Sequence, residues 1–452
     1  MDHAINLLLM HIPGVSATAK YFLVKVLYLG HEAAGRMSLD ELSSHTRLTK
    51  QVVVRIRKEL AEPVKKYRGG YLLKDDSVGA GHRGRGRPRK YFQLNPAFLV
   101  DLSLGGPDEE VVNAGVCRFL MQAPVERWTT SLKGSEGEAQ ADSVKDRLSA
   151  LNLYFLTVLW MLADEMGAIW QKGVGEIAQL AGMTRTQAKN HLCKLKRMGY
   201  IDGRLPGVSG SLLFGRSPGA TFLDPVHPTL AAIWGDVEWH WERYPNQDSI
   251  SWAVWDAFEN HHEKRLQGKT VIPEHITSNL HIGRRALEDS PLFREAWREL
   301  TQSEGLLGVY RVFTGVSQKV RTYARAVLYQ YARKILQQQA PAIFESKEIL
   351  DTDILQDLQR LVATNGDLEG KIAKGVALWV YSRAYVLAWE IFQQRAWAYM
   401  AAENDASDLS RMEQVKKARA ALSESGEAWS VFPDKRVGYT RVLIKKKSII
   451  SG

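Results

Sequence analysis

The sequence predicts a mainly α-helical protein in which one pattern occurs twice and is followed by a longer helical region. The repeated pattern is an apolar helix, a short helix, a turn and a capped helix, and then two short strands joined by a loop. The C-terminal region, beyond residue 226, holds ten of the 13 tryptophans and has helical spacing of its apolar residues. So many indole rings indicate a folded region rather than a disordered tail.

The first copy of the pattern begins with an apolar helix over 17–29. After it, Ser38-Leu39-Asp40-Glu41 has the form of a capping box, in which the serine hydroxyl and the glutamate carboxylate each accept a backbone N–H group of the other residue. These residues predict a short helix that ends near Ser44, and a turn over 45–48.

Thr49 provides the N-cap of the next helix. Its inner face carries Val53, Ile56 and Leu60, which recur at helical spacing. Arg57 stands where such a helix often has an apolar core residue, and this leaves the register open by about one residue. The outward face is mostly polar and basic: Lys50, Gln51, Val54, Arg55 and Lys58.

A strongly basic loop follows between two predicted strands, 71–73 and 91–94. Residues 84–90 read Gly-Arg-Gly-Arg-Pro-Arg-Lys. Pro88 keeps its neighbours extended, and the glycines permit close approach to another surface. The loop is either a solvated basic segment or a contact for a polyanion, and the pattern around it favours the contact. Its five cations fall within eight positions: Arg83, Arg85, Arg87, Arg89 and Lys90.

The second copy has an apolar helix over 151–166 and a short helix over 174–181. Gly182 supplies the left-handed residue that ends the short helix. Thr184 caps the next helix, whose outward face near its start carries Arg185, Thr186, Gln187, Lys189 and Asn190. The glycine-rich stretch 203–219 follows, with the cations Arg204 and Arg216.

Both copies resemble the DNA-binding domains of bacterial winged helix-turn-helix regulators. The stretch 176–201 is similar, almost position for position, to families such as MarR, GntR and Lrp. Its core positions are filled by Ile177, Ala178, Ala181, Ala188, Leu192 and Leu195. The run 84–94 resembles the wing of such regulators, and its Arg-Gly-Arg-Pro core resembles an AT-hook.

The resemblance implies that the partner is double-stranded DNA. The outward residues of the two capped helices would contact the major groove, and the arginines of the basic loop would enter the minor groove. Residues 203–219 would be the second wing. The alternative for the second copy is a winged helix that binds protein and never touches DNA.

The pattern predicts four segments. These are a first winged helix at 1–102, a linker at 103–147, a second winged helix at 148–225 and an all-helical domain at 226–452. Within the linker, a short helix is expected over 114–121, and the Gly/Ser/Glu-rich stretch 131–143 is expected to be flexible, which would let the two DNA-binding units occupy separate sites. The C-terminal domain is expected to support homo-oligomers or to bind a protein partner or an effector.

The C-terminal helices are predicted over 226–243, 250–266, 283–304, 317–339, 348–363, 368–402 and 407–424. Their aromatic residues are interpreted as core rather than as a ligand pocket or a stacking surface. One helix combines tyrosines with cations, and a solvated face is favoured there over a third phosphate contact. The cations are Lys319, Arg321, Arg325 and Arg333. Lys445–Lys447 would add weak affinity for DNA.

The charge is unevenly distributed. The 452 residues hold 60 Lys and Arg against 50 Asp and Glu, a net charge of +10. Residues 1–100 hold 17 basic and 8 acidic residues, so nearly all of the excess lies in the first copy. Basic charge concentrated on predicted recognition helices and wings is typical of duplex binding, and it predicts an affinity that falls with salt.

The remaining signals are negative. The sequence has two cysteines without a CxxC pair, no phosphate-binding or hydrolase motif, and no apolar stretch long enough to cross a membrane. Adjacent histidines such as His261 and His262 diverge by about 100° on a helix, so they cannot bind one metal together. We therefore expect a cytoplasmic, nucleoid-associated protein that is not an enzyme and needs no cofactor or metal.

Three functions remain open from the sequence. The first is a bacterial transcriptional regulator that binds specific duplex sites. The second is the replication initiator of a plasmid or mobile element, although such initiators with paired winged helices lack the helical C-terminal region. The third is the DNA-binding subunit of a partition, nucleoid or defence complex, in which sequence preference is weak.

Overall fold

The protein is mainly α-helical, as the sequence predicts. The chain divides into two compact units, which are Met1–Arg204 with Ala220–Gly235, and Leu205–Gly219 with Asp236–Gly452. A computed structural model describes 2–64, 66–67, 70–75, 91–104, 113–122, 148–211, 214–234, 237–245, 318–344, 351–363, 370–402, 428–433 and 439–447.

The first half of the first unit is helical apart from one hairpin. Its elements are α1 (Asp2–Leu9), α2 (Ala17–Leu29), α3 (His31–Arg36), α4 (Leu39–Thr46), α5 (Lys50–Leu60), β1 (Leu72–Asp75), β2 (Tyr91–Leu94) and α6 (Pro96–Leu104). Strands β1 and β2 pair antiparallel with Leu72 opposite Leu94. The apolar side chains Leu72, Phe92 and Leu94 are buried in the core of this unit.

Local side-chain contacts determine where α4 and α5 begin. The Ser38 hydroxyl accepts the N–H of Glu41 at 3.2 Å, and the Glu41 carboxylate accepts the N–H of Ser38 at 2.6 Å, so the predicted capping box is confirmed. Helix α4 runs two residues further than predicted, to Thr46. Arg47, with φ 57°, then turns the chain in the left-handed conformation, and the Thr49 hydroxyl caps α5.

The second half of the first unit also has an apolar helix, a short helix and a capped helix followed by strands. Its elements are α7 (Ala114–Gln122), α8 (Ala150–Leu162), β3 (Ala168–Ile169), α9 (Val174–Leu180), α10 (Arg185–Arg197), β4 (Ile201–Leu205), β7 (Ala220–Leu223) and α11 (Ala231–Trp234). Between β4 and β7 the chain forms the antiparallel pair β5 (Val208–Ser211) and β6 (Gly215–Ser217), which belongs to the second unit. Strand β7 lies between β3 and β4 in one sheet. Gly182 has φ 67°, so the predicted left-handed turn between α9 and α10 is confirmed.

The two halves of the first unit share one hydrophobic core. Within the predicted linker 103–147, the short helix expected over 114–121 is confirmed as α7, and the stretch 131–143 lies outside the described residues. Helix α7 packs against α2 and α8, because its apolar side chains form one buried face. The Asn113 side chain donates to the carbonyls of Trp160, Ala163 and Asp164 at the end of α8, at 2.8–3.1 Å. Residues 105–112 and 123–147 lie outside the described residues.

The second unit combines long helices with a sheet. Its further elements are β8 (Val237–Pro245), α12 (Gln318–Phe344), α13 (Thr352–Ala363), α14 (Gly370–Ala402), β9 (Ala428–Pro433) and β10 (Tyr439–Lys447). Strand β10 lies between β8 and β9, antiparallel to both. The prediction of an all-helical C-terminal domain is therefore wrong. Residues 237–245 alternate apolar and polar side chains, which is a strand pattern, and Lys445–Lys447 belong to β10 rather than to a free tail.

The described aromatics of α12 form core, as predicted. Tyr323, Tyr329 and Tyr331 are at most 2% exposed, where α12 packs against α14. Arg333, on the same helix, is 5% exposed. It therefore cannot belong to a solvated face or reach phosphates. The predicted helices 250–266, 283–304 and 407–424 lie outside the described residues.

The hairpin β5–β6 belongs to the second unit, although we predict it as the wing of residues 148–225. Val208 and Phe214 are buried in the core of the second unit, and the Phe214 ring lies 5.1 Å from the Tyr323 ring in an edge-to-face arrangement. Glycine is needed at its base, since a Cβ atom on Gly219 would overlap the carbonyl oxygen of Leu205. The second hairpin therefore packs on helices that are distant in sequence.

Three further findings concern the described residues. None of their helices combines the length and the apolarity that a membrane crossing requires. Within the same segments, His, Cys, Asp and Glu side chains do not cluster in a way that could hold a metal ion. Cys117 is buried and Cys193 is exposed, and both thiols are free.

Candidate nucleic-acid interface

Helix α5 presents the predicted basic face. Val53, Ile56 and Leu60 are at most 1% exposed and fix the inner face of the helix. This orientation leaves the predicted contact residues in solvent, and all four are exposed: Lys50, Gln51, Arg55 and Lys58.

Lys50 forms an ion pair with Asp40 in the first turn of α4. The two side chains are 61% and 71% exposed. Exposed ion pairs contribute about 1 kcal/mol or less, because water and salt screen them. The pair orients Lys50 across the turn at little energetic cost, so an incoming anion can replace Asp40.

Arg57 occupies a core position of α5 because its side chain contacts the hairpin. Its guanidinium lies 4.6 Å from the centroid of the Phe92 ring on β2, and the residue is half-buried. Partial burial lowers the pKa of Arg57, but a guanidinium stays charged at physiological pH. A cation over an aromatic face is favourable, so Arg57 joins helix α5 to the hairpin where an apolar side chain was expected.

Val54 is 51% exposed in the middle of the basic face of α5. Helical spacing places Val54 between Gln51 and Lys58 on this face. A search for charged or hydrogen-bonding contact residues would not find it. In the major groove, thymine presents a methyl group that apolar side chains contact. Val54 is therefore an additional candidate contact residue.

The basic loop lies outside the described residues, so Arg83, Arg85, Arg87, Arg89 and Lys90 remain predicted contacts. Their flanks are described. The N–H of Tyr71 donates to the carbonyl of Leu60 at the end of α5, at 2.7 Å. The N–H of Asn95 donates to the carbonyl of Tyr71 at 3.0 Å. The base of the β1–β2 hairpin is thus attached to the end of α5.

Helix α10 has the same construction as α5. Ala188, Leu192 and Leu195 are fully buried, and the predicted outward residues are exposed: Arg185, Thr186, Gln187, Lys189 and Asn190. Four of these five residues lie in the first turn and a half, where a recognition helix contacts base edges in the helix-turn-helix geometry.

Gln187 also has a structural role that the sequence interpretation missed. Its side-chain oxygen accepts the N–H of Thr184 at 2.9 Å and the Thr184 hydroxyl at 3.1 Å. The Thr184 hydroxyl oxygen is in turn 3.2 Å from the N–H of Gln187. This is a capping box, so the oxygen of Gln187 is engaged in starting α10. The sequence signal for this capping box is a glutamine three residues after the capping threonine.

The two predicted cations of the second hairpin region fall in different units. Arg204 is the last residue of the first unit before the hairpin, and Arg216 lies on β6 in the second unit. Both side chains are exposed. Their predicted contact with DNA stays a prediction.

A joint at the N-terminus of α2 holds both basic helices. The Glu59 carboxylate in the last turn of α5 accepts the N–H of Ser16 at 2.8 Å and its hydroxyl at 3.1 Å. On the other side, Gly182 approaches the same backbone so closely that a Cβ atom would lie 3.0 Å from the carbonyl oxygen of Val15 and 3.3 Å from the nitrogen of Ala17. Sequence patterns gave no signal for this joint.

Lys20 reinforces the joint from inside the core. It lies on α2 and is 1% exposed, and its Nζ donates to the carbonyls of Leu8 at 3.3 Å, Met10 at 2.6 Å and Leu180 at 2.5 Å. These carbonyls stand at or just beyond the ends of α1 and α9, where they lack helical partners. Burial lowers the pKa of Lys20 to about 7.

The chain was compared with protein-family models, with curated proteins and with solved structures. No family model, curated protein or solved structure matches it. The functional interpretation therefore depends on the residues and geometry described above.

Proposed function

We propose that the chain is a double-stranded DNA-binding protein with two helix-turn-helix modules, the first of which carries a wing. Helices α5 and α10 are the recognition helices of the major groove, and the basic loop 83–90 enters the minor groove. One observation carries the proposal. Each helix is N-capped, follows a short helix through a left-handed turn residue, buries an apolar stripe and exposes its cations.

The proposal is tested by titrating the full chain into labelled duplexes and measuring fluorescence anisotropy at several salt concentrations. The logarithm of the affinity is expected to fall linearly with the logarithm of the salt concentration, with a slope of about −0.9 for each phosphate contact. A chain that does not bind duplex, or binds it independently of salt, would refute the proposal. Arg360→Ala with Lys374→Ala is the control, because it removes two exposed cations from the second unit.

The proposed minor-groove contact has its own test. The pair Arg85→Ala and Arg87→Ala should weaken binding to A·T-rich duplex more than to G·C-rich duplex, because the narrow A·T minor groove attracts arginine. The measurement is the ratio of the two affinities in the variant and in the wild type. Equal losses of affinity on both duplexes would mean that the loop contacts only phosphates.

The proposed biological role is a sequence-specific transcriptional regulator of the bacterial type, in which the second unit forms homo-oligomers or binds a protein partner. Genome-wide recovery of bound DNA tests this role. Individual promoters support the regulator. A cluster of repeats beside the chain's own gene would identify a replication initiator, and broad coverage would identify a partition, nucleoid or defence subunit.

A further inference from the structure

Helix α5 and the turn before α10 both contact one short segment, residues 15–17. The last turn of α5 is bound to Ser16 through Glu59, and the turn before α10 is packed on Val15 and Ala17 through Gly182. The Glu59 contact uses two hydrogen bonds to a carboxylate, and the glycine contact is backbone against backbone. Two hydrogen bonds hold the Glu59 side chain on Ser16, and the glycine contact has no side chain that could move, so both helix ends are held on the same short segment.

Further contacts, in the core and at the surface, fix the same arrangement. Lys20 joins α2 to the end of α9 through the carbonyl of Leu180, and the His11 ring bonds the carbonyl of Gln179 at 3.0 Å. The rings of Tyr21 on α2 and Tyr154 on α8 lie 6.0 Å apart, edge to face. Separating the two helix-turn-helix pairs would break the bond of Lys20 to Leu180 and expose the packed tyrosine rings to water, and both changes are unfavourable.

Exposed cations lie on both sides of this joint. Lys58 is next to Glu59 in the last turn of α5, and Arg185 is the first residue of α10. Arg185 also lines an open groove of about 320 Å³ together with Val15 and Gly182. The basic face of α5 therefore ends near the residues on which the basic face of α10 begins.

From this geometry we infer that α5 and α10 form one rigid contact surface, which binds a single continuous duplex site rather than two sites at variable spacing. The inference rests on the proposed function and adds that the two helices bind adjacent parts of one duplex. With 11 and 13 residues, the helices are about 16 and 20 Å long. A ten-base-pair insertion lengthens the duplex by about 34 Å, and helices held by a common joint cannot move apart by that distance.

The first test changes the DNA. Footprints of the wild type, of Arg55→Ala with Lys58→Ala and of Arg185→Ala with Lys189→Ala assign each half of a bound site to one helix. Insertions of two, five and ten base pairs between the halves should each lower the affinity about tenfold or more, as much as losing one helix. Full affinity with the ten-base-pair insertion would overturn the inference, since that insertion restores the helical phase for two flexibly linked modules.

The second test measures the protein without DNA, so it separates the rigid joint from the proposed function. One spin label is placed on the exposed native Cys193 of α10, and the other on α5 through Lys58→Cys. Cys117 is fully buried and burial raises the pKa of its thiol, so it does not react. The full chain should give one narrow distance distribution, and a broad distribution would overturn the inference.

Variants of the joint complete this test. Glu59→Ala combined with Lys20→Met should broaden the distance distribution, because both contacts of α2 with the helix ends are lost. Glu62→Ala is the control, since Glu62 is an exposed acid just beyond α5. A narrow rigid distance in a chain that binds no duplex would refute the proposed function and leave the joint intact.

Discussion

Helices α5 and α10 begin alike, with a threonine cap after a left-handed turn, but their hairpins are held differently. The hairpin β1–β2 buries Phe92 in the first unit, under Arg57 of its own basic helix. The hairpin β5–β6 buries Phe214 in the second unit, against Tyr323 of α12. A capped basic helix and the hairpin that follows it therefore have two packing outcomes.

This difference separates the roles of the two modules. The first hairpin is attached at its base to α5, and the basic loop 83–90 lies between its two strands in the sequence. The second hairpin is packed in the second unit. We expect the first module to contact DNA through helix and wing, and the second module through its helix.

The largest expected effect comes from removing the two buried rings in turn. Phe214 is fully buried and Phe92 is 5% exposed, so replacing either with alanine should destabilise its own unit by about 3–5 kcal/mol. Peptide-level hydrogen exchange distinguishes the units. Phe214→Ala should speed exchange in α12, and Phe92→Ala should speed exchange in α2. Faster exchange in α10 than in α12 for Phe214→Ala would show that the second hairpin belongs to the first unit.

The second prediction concerns pH and the joint that both modules share. Burial lowers the pKa of Lys20 from 10.5 to about 7, so between these values the folded chain binds fewer protons than the unfolded chain. The free energy of unfolding should therefore rise from pH 7 towards pH 10, by up to about 1.4 kcal/mol per pH unit for one proton, and level off below pH 7. Burial of Lys25, whose pKa falls to about 8, acts in the same direction.

The measurement is urea unfolding at pH 7, 8 and 9. The unfolding transition of the first unit is the one to follow, and it is identified as the transition that Phe92→Ala shifts. Lys20→Met should reduce the dependence on pH, because methionine does not titrate. Lys196→Met, on the exposed face of α10, is the control and should keep the wild-type slope. An unchanged slope in Lys20→Met would contradict the contribution of the buried lysine.

The third prediction compares the DNA contacts of the two helices. Arg55→Ala with Lys58→Ala, and Arg185→Ala with Lys189→Ala, should each lower duplex affinity about tenfold, and each should reduce the salt slope by about two. The first pair should retain a preference for A·T-rich duplex, because the loop 83–90 is intact. Anisotropy on A·T-rich and G·C-rich duplexes measures both effects. Unchanged affinity of the second pair would assign α10 to protein binding.

The smallest expected effect separates the structural role of Gln187 from base recognition. Gln187→Ala breaks the capping box of α10 and should reduce stability by about 0.5–1 kcal/mol, whereas Gln51→Ala on α5 should leave stability unchanged. Urea unfolding of both variants checks this difference. Equal stabilities would mean that the Gln187 contact with Thr184 contributes nothing.

The sequence by itself determined the local features. The caps at Ser38, Thr49 and Thr184 and the left-handed Gly182 are confirmed, because each depends on contacts within a few residues along the chain. The inner and outer faces of α5 and α10 are also confirmed, since helical periodicity fixes which side chains share a face. The candidate contact residues on these two helices were therefore predictable.

Only the tertiary structure decided which elements pack together. Strand β8 pairs with β10, about two hundred residues away, and its alternating pattern was interpreted as helix because no local signal names a partner strand. The joint at Ser16 and the packing of the second hairpin in the second unit also depend on contacts between segments that are distant in sequence. Burial and hydrogen bonding between distant segments depend on which surfaces meet, and periodicity along the chain does not encode that choice.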